Sequence, residues 1–475
     1  MRYSPLLTDL YELTMLAGYL EDGMHESPAV FDLFFRNNPF NGGYAIFAGL
    51  ETALSYLEGL SFSDEDLNYL DGLKIFRPEF LSYLQGFRFK GRITAPAEGT
   101  AVFGREPLIT VEGGLAEAQF VETALLNIIN FQTLVATKAA RVNGAAAGAT
   151  VLEFGLRRAQ GPDGGLSEAR AAYVGGVRAT SNVLAGKTFG IPVMGTHAHS
   201  WIMAFPDELT AFRRYAEVFP ESCVLLIDTY DTLKSGLPNA LTVAAELRQR
   251  GHALQGVRID SGDLAYLSRQ VRAAFDRAGF PEVKIVASNE LDEYVIDSIR
   301  SEGGKVDVYG VGTRLATCAG EGGGALGGVY KLVKMGDEPK LKITSDVSKA
   351  TLPDRKRVLR VVAPNGIFIQ DVITLAGEEI GPGSVVYDPG NPLQHVKIPA
   401  DARFIELRSQ VMEDGLRSAP SPSLAEAADL CADQLHRLPE GCQRLVNPHI
   451  YKVSISPGLN ELRLRLLAGI QGKLS

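Results

Sequence analysis

The sequence is poor in the residues that build disulfide frameworks, zinc ribbons and nucleic-acid surfaces. Its 475 residues include only four cysteines, scattered at positions 223, 318, 431 and 442 with no Cys-x-x-Cys pair, which argues against a disulfide framework and a structural zinc site. The net charge of −9 argues against nucleic-acid binding, because phosphate backbones are bound by clustered lysines and arginines. One local basic pocket for a small anion remains compatible with this charge.

Long apolar runs are also scarce. A bilayer-spanning helix needs about 20 apolar residues, and we find no such run in the sequence. The opening stretch MRYSPLLTDLYELTM carries Asp9 and Glu12 among its apolar residues, unlike a signal peptide. We therefore expect a soluble, cytoplasmic protein that binds neither membranes nor nucleic acid.

The pattern of the chain predicts three regions. Residues 1–125 combine helical patterns with short alternating runs punctuated by Gly and Pro at 90–114, which favour an α+β N-terminal domain with β hairpins. Residues 126–345 alternate apolar runs with helical patterns, as expected of parallel strands joined by helices. Residues 346–475 predict strands and helices that pack in part on the N-terminal domain.

The middle region predicts the fold class. Six or more strand–helix units are typical of a (β/α) barrel, and a doubly wound open sheet is the alternative. We therefore predict an α/β protein with an irregular (β/α) barrel as its central domain. The predicted strands are 149–154, 191–195, 223–228, 256–260, 283–288 and 306–312.

Polar residues follow the carboxyl ends of these predicted strands. In a parallel barrel those ends open onto one mouth, where active sites lie. Turns and helix caps account for Gly, Asn, Asp and Ser, but not for arginines and histidines at several ends. The sequence therefore predicts an active site built from residues 154–158, 196–199, 228–229, 258–263, 288–290 and 310–314.

Two histidines stand in the stretch GTHAHSW. A zinc site would need a third ligand at suitable spacing, which the sequence does not offer. We expect His197 to be structural and His199 to be functional, with Asp228 from the next strand orienting its imidazole.

The stretch IDSGDL is typical of a helix start. Ser261 is expected to cap the helix that opens at Asp263, whereas Asp260 is a candidate both for capping and for the active site. The glycines of GVGTR, residues 310–314, can let backbone N–H groups cradle a phosphate, although the stretch does not match a P-loop.

Read together, nine motifs resemble those of the nicotinate phosphoribosyltransferases, a type II phosphoribosyltransferase family. They occur in the family's order between roughly residues 3 and 355: LLTDLYELTM, EGTAVFGREPLITVEG, LLNIINFQTLVATKAAR, EFGLRRAQGPDGG, SNVLAG, GTHAHSW, VRIDSGDL, GVGTRLATC and GGVYKLV.

The resemblance implies condensation of nicotinate with phosphoribosyl diphosphate to give nicotinate mononucleotide and diphosphate, in NAD salvage. It further implies coupling to ATP hydrolysis through a phosphohistidine, a need for Mg²⁺, and a homodimer with shared active sites. The metal ligands stay unassigned.

The resemblance also implies roles for individual residues. His199 would be phosphorylated, Arg258 would bind the nicotinate carboxylate, and Phe154 would stack on the pyridine ring opposite Tyr11 of the partner subunit. Asp260 would hold the ribose hydroxyls. Further substrate contacts are implied for Arg36, at the diphosphate across the subunit interface; for Arg157, near the ring; for Gly310, Gly312 and Thr313, at the 5′-phosphate; for Asn289; and for Ser181 or Asn182, in place of the acid of the nicotinamide enzyme.

Three other functions remain open from sequence. One is a phosphoribosyltransferase that prefers nicotinamide, and another is a non-catalytic binding protein on the same fold. The third is a barrel aldolase or isomerase, which would need a strand-end lysine or a clear acid–base pair; no predicted middle strand ends in lysine.

Overall fold

The computed structural model describes residues 3–342, 351–391 and 393–474. It contains two compact units, one formed by residues 1–134 with 325–475 and the other by residues 135–324. The predicted boundaries at 125 and 345 thus differ from the observed ones. The reason at the second boundary is β-pairing, since strand 328–335 joins the strand at 28–35 of the N-terminal region.

The first unit contains a seven-stranded antiparallel sheet. Its strand β1, Pro28–Phe35, is apolar apart from Asp32, and six of its eight residues are buried. It pairs with strand β12, Gly328–Met335, on one side and with strand β5, Ile109–Gly114, on the other. Strand β5 also pairs with β3, which confirms the antiparallel strands predicted at 90–114. The order across the sheet is β13-β12-β1-β5-β3-β19-β20.

The first unit also contains a six-stranded mixed sheet, ordered β17-β16-β21-β15-β14-β18. Strands β14 and β15 pair antiparallel on either side of the turn at Pro364–Gly366, where Gly366 has φ 91°, a conformation that glycine adopts without strain. This confirms that the region after residue 346 contains strands, as predicted.

The strands of the first unit are β1 Pro28–Phe35, β2 Ala45–Ile46, β3 Arg92–Ala95, β4 Ala101–Val102, β5 Ile109–Gly114, β12 Gly328–Met335, β13 Glu338–Pro339, β14 Lys356–Val362, β15 Phe368–Leu375, β16 Val385–Tyr387, β17 His395–Lys397, β18 Arg403–Glu406, β19 Ser409–Glu413, β20 Leu416–Arg417 and β21 Lys452–Ile455. Its helices are α1 Leu10–Glu21, α2 Leu50–Glu58, α3 Asp64–Gly72, α4 Pro78–Gln85, α5 Leu115–Phe120, α15 Leu424–Arg437, α16 Glu440–Gln443 and α17 Pro457–Leu474, and α6 Glu122–Ala146 continues into the second unit.

The second unit is built on a parallel sheet of six strands in the order β7-β6-β11-β10-β9-β8. This confirms the predicted α/β class, and the strands follow one another in the order expected around a barrel. Within the described residues, however, no ladder joins β7 to β8, so the sheet does not close. Beyond β7 there is a single parallel bridge, between Thr180 and Val193.

One predicted strand of this unit was wrong, because 191–195 is reduced to that one bridge. The stretch at 167–186 has a helical pattern in the sequence but is not one helix, because Gly175 and Gly176 end helix α7 and the two-residue strand β7 follows. A Cβ on Gly175 would lie 2.3 Å from the carbonyl oxygen of Ala136, so close packing requires glycine at this break.

The strands of the second unit are β6 Thr150–Glu153, β7 Ala179–Thr180, β8 Val224–Leu226, β9 Gly256–Ile259, β10 Lys284–Ser288 and β11 Val308–Val311. Its helices are α7 Pro162–Val174, α8 Val183–Phe189, α9 His199–Met203, α10 Glu208–Val218, α11 Leu237–Gln249, α12 Leu264–Arg277, α13 Glu293–Ser301 and α14 Thr313–Ala316.

One helical stretch does reach the length and apolar character of a membrane span, contrary to the sequence expectation. It covers residues 115–146, and 67% of its apolar window is buried within the protein. Burial of this kind is typical of a core helix.

Candidate functional site in the parallel sheet

The site in the second unit is organised around Arg258, which stands on β9. Its guanidinium donates through Nε to Ser288 Oγ at 2.8 Å, through one Nη to Asp260 Oδ1 at 2.9 Å, and through the other to Thr196 Oγ1 at 3.4 Å. Three predicted strand-end segments, those at 196, 258–260 and 288, are therefore brought together as expected.

Asp260 is a charged member of this cluster. Burial raises the pKa of its carboxyl, but hydrogen bonds from Ser288 and Arg258 outweigh the burial and hold the pKa below its usual value. Ser288 Oγ donates to Asp260 Oδ1 at 2.5 Å. The site therefore presents a fixed carboxylate beside a fixed guanidinium.

His199 lies at the start of helix α9 with its side chain 40% exposed. Its Nδ1 is 3.1 Å from Thr229 Oγ1, and its Nε2 is 3.8 Å from Asp260 Oδ2. The predicted orienting contact with Asp228 is not made in this structure, and the neighbouring residue Thr229 takes that place.

Asp228 instead organises the segment after β9. Its Oδ2 accepts hydrogen bonds from Asp260 N at 2.8 Å and from Ser261 Oγ at 2.6 Å. The capping prediction for Ser261 was also wrong, because Asp263 caps helix α12 by accepting from Tyr266 N at 2.9 Å.

His197 is buried beside the open edge of the sheet. Leu226 N in β8 donates to its Nε2 at 3.3 Å, and its Nδ1 lies 3.3 Å from Ala198 O. Burial lowers the pKa of His197 to about 4, so the ring is neutral at physiological pH. This contact supplies the β8 edge with an acceptor, which is a structural role as expected.

Phe154 follows β6, and its ring centroid is 5.8 Å from the guanidinium carbon of Arg258. A Cβ on Gly310 would lie 2.5 Å from the Phe154 ring, and one on Gly312 would lie 2.9 Å from Phe154 O. Packing around Phe154 therefore requires both glycines, independently of the phosphate contact implied for them.

Sequence reasoning missed Glu153, a fully buried acid at the end of β6. Its carboxyl accepts hydrogen bonds from Gly155 N and Thr180 Oγ1, which ties the segment after β6 to the end of β7. Burial raises the pKa of Glu153, and it raises the pKa of the neighbouring Glu168 well above the usual value. The signal in the sequence was an acid inside an otherwise apolar strand.

The segment after β7 contains Ser181 and Asn182, the two candidates for one substrate contact, and they differ in their surroundings. Asn182 is 2% exposed, and its side chain is already engaged: Oδ1 accepts from Ala185 N at 3.1 Å as the cap of α8, and Nδ2 donates to Gly165 O at 3.2 Å. Asn182 is thus engaged within the protein, whereas Ser181 is half-buried, and the substrate role implied for one of the two stays a prediction.

The remaining candidates of this unit lie in loops. Arg157 is exposed in a short 3₁₀ turn. Asn289 and the next residue, Glu290, both have left-handed backbones, with φ 87° and 44°; such strain at consecutive non-glycine residues occurs mainly at functional sites. Thr313 begins the four-residue helix α14 directly after Gly312.

Two predicted site residues belong to the first unit. Tyr11 is on α1 and is 45% exposed. Arg36 follows β1 and lines a cavity with other residues of that unit. No group of three or more His, Cys, Asp or Glu side chains that could hold a metal occurs in the described part of the chain.

Comparison with known proteins gives a consistent result. Three family models match, described as the nicotinate phosphoribosyltransferase N-terminal domain over residues 6–130, the nicotinate phosphoribosyltransferase family over 149–362, and the C-terminal domain over 355–463. The nicotinate phosphoribosyltransferase of Bacillus subtilis is 44% identical, with 95% of this chain and 92% of that protein covered.

Human relatives agree in both sequence and structure. The nicotinate phosphoribosyltransferase of Homo sapiens is 36% identical, with 98% of this chain and 97% of that protein covered. The crystal structure of human nicotinic acid phosphoribosyltransferase superimposes with a TM-score of 0.86 at 34% identity, covering 97% of this chain and 99% of that one.

Proposed function

The chain belongs to the nicotinate phosphoribosyltransferase family, and on this premise we propose that it condenses nicotinate with phosphoribosyl diphosphate to nicotinate mononucleotide and diphosphate, as a step of NAD salvage. The observation that supports the proposal best is the guanidinium of Arg258, which Ser288 and Asp260 fix beside the Phe154 ring. A planar cation next to an aromatic face suits an aromatic carboxylate.

This arrangement supports the proposed binding of nicotinate. The Nη of Arg258 that reaches Thr196 does so at 3.4 Å, so this donor is only weakly engaged and can turn to a substrate carboxylate. The Phe154 ring offers a face for the pyridine ring. Arg157 and Asn289 would complete the contacts with the substrates.

In the transfer step, the pyridine nitrogen attacks the anomeric carbon of ribose while the bond from that carbon to the diphosphate oxygen breaks. The nitrogen attacks with its own lone pair, so no base has to remove a proton. The ionised Asp260 would accept hydrogen bonds from the ribose hydroxyls, and Gly310, Gly312 and Thr313 would meet the 5′-phosphate through backbone N–H groups.

The carboxylates of this site are of the kind that binds Mg²⁺. In phosphate-transfer sites Mg²⁺ is usually held by one or two carboxylates together with substrate phosphates and water, so a full cage of protein ligands is not required. Asp260 and Asp228 are the carboxylates that would serve. When bound, the ion would neutralise charge on the departing diphosphate.

We further propose that ATP phosphorylates His199. In the tautomer with the proton on Nδ1, which would donate to Thr229 Oγ1, the lone pair lies on Nε2. Nε2 would then form the bond to the γ-phosphorus as the bond to the β,γ-bridging oxygen breaks and ADP leaves. Water later hydrolyses the phosphohistidine.

Incubation of the purified protein with nicotinate and phosphoribosyl diphosphate, with and without ATP, tests both steps. We expect the mononucleotide in both reactions and more of it with ATP. His199→Ala should lose ATP coupling and acid-labile labelling from γ-labelled ATP yet retain slow transfer, whereas His252→Ala, at a surface contact with Glu221, should behave as wild type. Absence of product would refute the proposed activity. Faster turnover of nicotinamide than of nicotinate would identify nicotinamide as the preferred substrate instead.

The protein is also proposed to be a cytoplasmic homodimer with shared active sites. Tyr11 of the partner subunit would stack on the pyridine ring opposite Phe154, and Arg36 of the partner subunit would reach the diphosphate. Mixing Arg36→Ala and Arg258→Ala proteins, each inactive alone, should restore about a quarter of wild-type activity after subunit exchange, because half of the dimers become mixed and each mixed dimer has one intact site. No recovery despite proven exchange would contradict sharing.

A further inference from the structure

Two acids of the second unit, Glu153 on β6 and Glu168 on α7, contact each other through their carboxyl groups. Both side chains are fully buried. Among the described residues, no N–H or O–H group of the protein donates to either carboxyl oxygen of Glu168. Two ionised carboxylates repel each other strongly in a dry interior. One member of this carboxyl pair therefore carries a proton.

The hydrogen bonds around the carboxyl pair assign that proton to Glu168. Glu153 accepts from Gly155 N and from Thr180 Oγ1, and donors of this kind stabilise an ionised carboxylate. Glu168 has no such donor in the described part of the chain. Burial and the negative charge of Glu153 raise the pKa of Glu168 well above its usual value. The O–H of Glu168 is thus in place to donate to Glu153.

Other titratable groups near the pair do not take the place of this proton. Cys318, which follows α14, is buried, and burial raises the pKa of its thiol to about 12. Lys138 on α6, whose charge also reaches Cys318, is engaged with Glu293 at 2.5 Å, and both of these side chains are almost fully buried. The thiol is therefore neutral at physiological pH, and the ammonium group has an anion of its own.

The carboxyl pair holds the turn that follows Phe154. Gly155 N, which donates to Glu153, belongs to the residue directly after Phe154. A Cβ on Gly155 would lie 3.1 Å from Glu153 Oε1, so the backbone of this turn lies against the carboxyl group. Leu156 N adds a further hydrogen bond to the same carboxyl. The position of the aromatic ring therefore depends on the direction in which the Glu153 carboxyl points.

The same carboxyl group holds the end of β7. Thr180 Oγ1 donates to Glu153 and accepts from Asn182 N at 2.9 Å. Ser181 lies between these two residues, and its own N–H donates to Glu153 O at 2.9 Å. One buried acid thus connects two segments that carry candidates for contacts with nicotinate.

We propose that Glu168 is a positioning residue of the nicotinate site. Its protonated carboxyl donates a hydrogen bond to the ionised Glu153, and Glu153 in turn fixes the turn after Phe154 and the end of β7. The hydrogen bond between the two acids is independent of the proposed function, whereas its effect on nicotinate rests on that function.

The test compares the full-length wild type with two variants of Glu168 and a control. Glu168→Gln keeps a donor in nearly the same shape, whereas Glu168→Leu fills the space without a donor. Glu208→Leu is the control, because Glu208 is an acid of the same unit that is only 3% exposed and whose partners are Ser235 and Asn239. It removes a buried acid that is not bound to the segment after β6.

Two measurements are independent of activity. The infrared spectrum of the wild type should contain the carbonyl stretch of a protonated carboxyl that is missing in Glu168→Gln. Hydrogen exchange, followed by mass spectrometry of the peptide covering residues 154–158, should be about tenfold faster in Glu168→Leu. Glu168→Gln and Glu208→Leu should exchange in this peptide as the wild type does.

Kinetics then connect the pair to the substrate. Glu168→Leu should raise the KM for nicotinate about tenfold and leave the KM for phosphoribosyl diphosphate unchanged, and Glu168→Gln should restore the KM for nicotinate. The control should lower the Tm without changing either KM, which separates positioning from a general loss of stability.

The inference is overturned, while the transferase activity stands, if Glu168→Leu keeps the exchange and the nicotinate KM of the wild type or if Glu168→Gln is impaired as much as Glu168→Leu. Should Glu168→Leu fail to fold, persistence of the infrared band in Glu168→Gln overturns it, and loss of the band supports it. If the wild type makes no mononucleotide but the band and the exchange change as expected, the proposed function fails and the hydrogen bond between the acids stands.

Discussion

Asp228 binds Asp260 through the backbone: Oδ2 of Asp228 accepts the N–H of Asp260 at 2.8 Å. The same oxygen accepts from Ser261 Oγ, while His199 is contacted by Thr229. Two residues adjacent in the chain thus serve different partners, the first holding the segment that carries the ribose-binding candidate and the second holding the imidazole.

Substitution of these two neighbours should give opposite patterns. Asp228→Ala removes a charged acceptor of two hydrogen bonds, so we expect the KM for phosphoribosyl diphosphate to rise about tenfold or more while phosphorylation by ATP persists. Thr229→Val removes one contact to His199, so phosphoenzyme formation should fall roughly fivefold with that KM unchanged. Steady-state kinetics and γ-labelled ATP measure the two effects, and the reverse pattern would restore Asp228 as the partner of His199.

Arg258→Lys should weaken nicotinate binding although it keeps the charge. Lysine cannot donate to Ser288 and Asp260 while presenting a planar fork to a carboxylate, so the KM for nicotinate should rise about 10–100-fold. Arg213→Lys, on a surface pair with Glu246, is the control and should not change this KM. An unchanged nicotinate KM in Arg258→Lys removes Arg258 from the role.

Gly310→Ala should displace the Phe154 ring. The added Cβ would lie 2.5 Å from the ring, and overpacking of this kind costs about 1–3 kcal/mol. We expect at least a tenfold rise in the KM for nicotinate. Gly144→Ala, where a Cβ meets nothing within 4 Å, should leave kinetics unchanged. A variant of Gly310 with the nicotinate KM of wild type would show that the position of the ring does not limit binding.

The pH dependence of stability should reveal the titration of the Glu12 carboxyl, which is fully buried on α1. Burial, opposed by a hydrogen bond from Gln119, raises its pKa from 4.5 to about 7. Because the pKa is raised in the folded state, the contribution of protonated Glu12 to the free energy of unfolding is complete below pH 4.5 and is lost as the pH rises to and through 7. The free energy of unfolding falls by at most about 1.4 kcal/mol per pH unit in this range.

Glu12→Gln should therefore gain stability relative to wild type as the pH rises from 4.5 to 7, and the difference should then level off. Midpoints of urea unfolding across pH 5 to 8 measure it. Glu65→Gln, at an exposed position of α3, should follow wild type. Parallel curves for Glu12→Gln and wild type across the range would rule out titration of Glu12.

Periodicity and strand-end chemistry were sufficient to predict the parallel α/β unit, because alternating apolar runs and amphipathic helices have few packing solutions. They also placed Arg258, Asp260 and Ser288 at one edge, since parallel strands bring their carboxyl ends together. The sequence pattern did not predict strand β7, because two residues are too few to show a period.

The hydrogen-bond partners at the site became apparent only in the folded protein. Which of Asp228 and Thr229 contacts His199, and whether Asn182 caps a helix or faces a substrate, depends on side-chain directions and distances that residue types alone do not specify. The residue types and their spacing were enough to specify the chemistry available at the site, the α/β class and the family motifs. Folding determined the contacts between residues, including the cavity of the first unit that Arg36, Arg105 and Arg463 line. These three residues are far apart in the chain and share a wall only after the strands and α17 have packed.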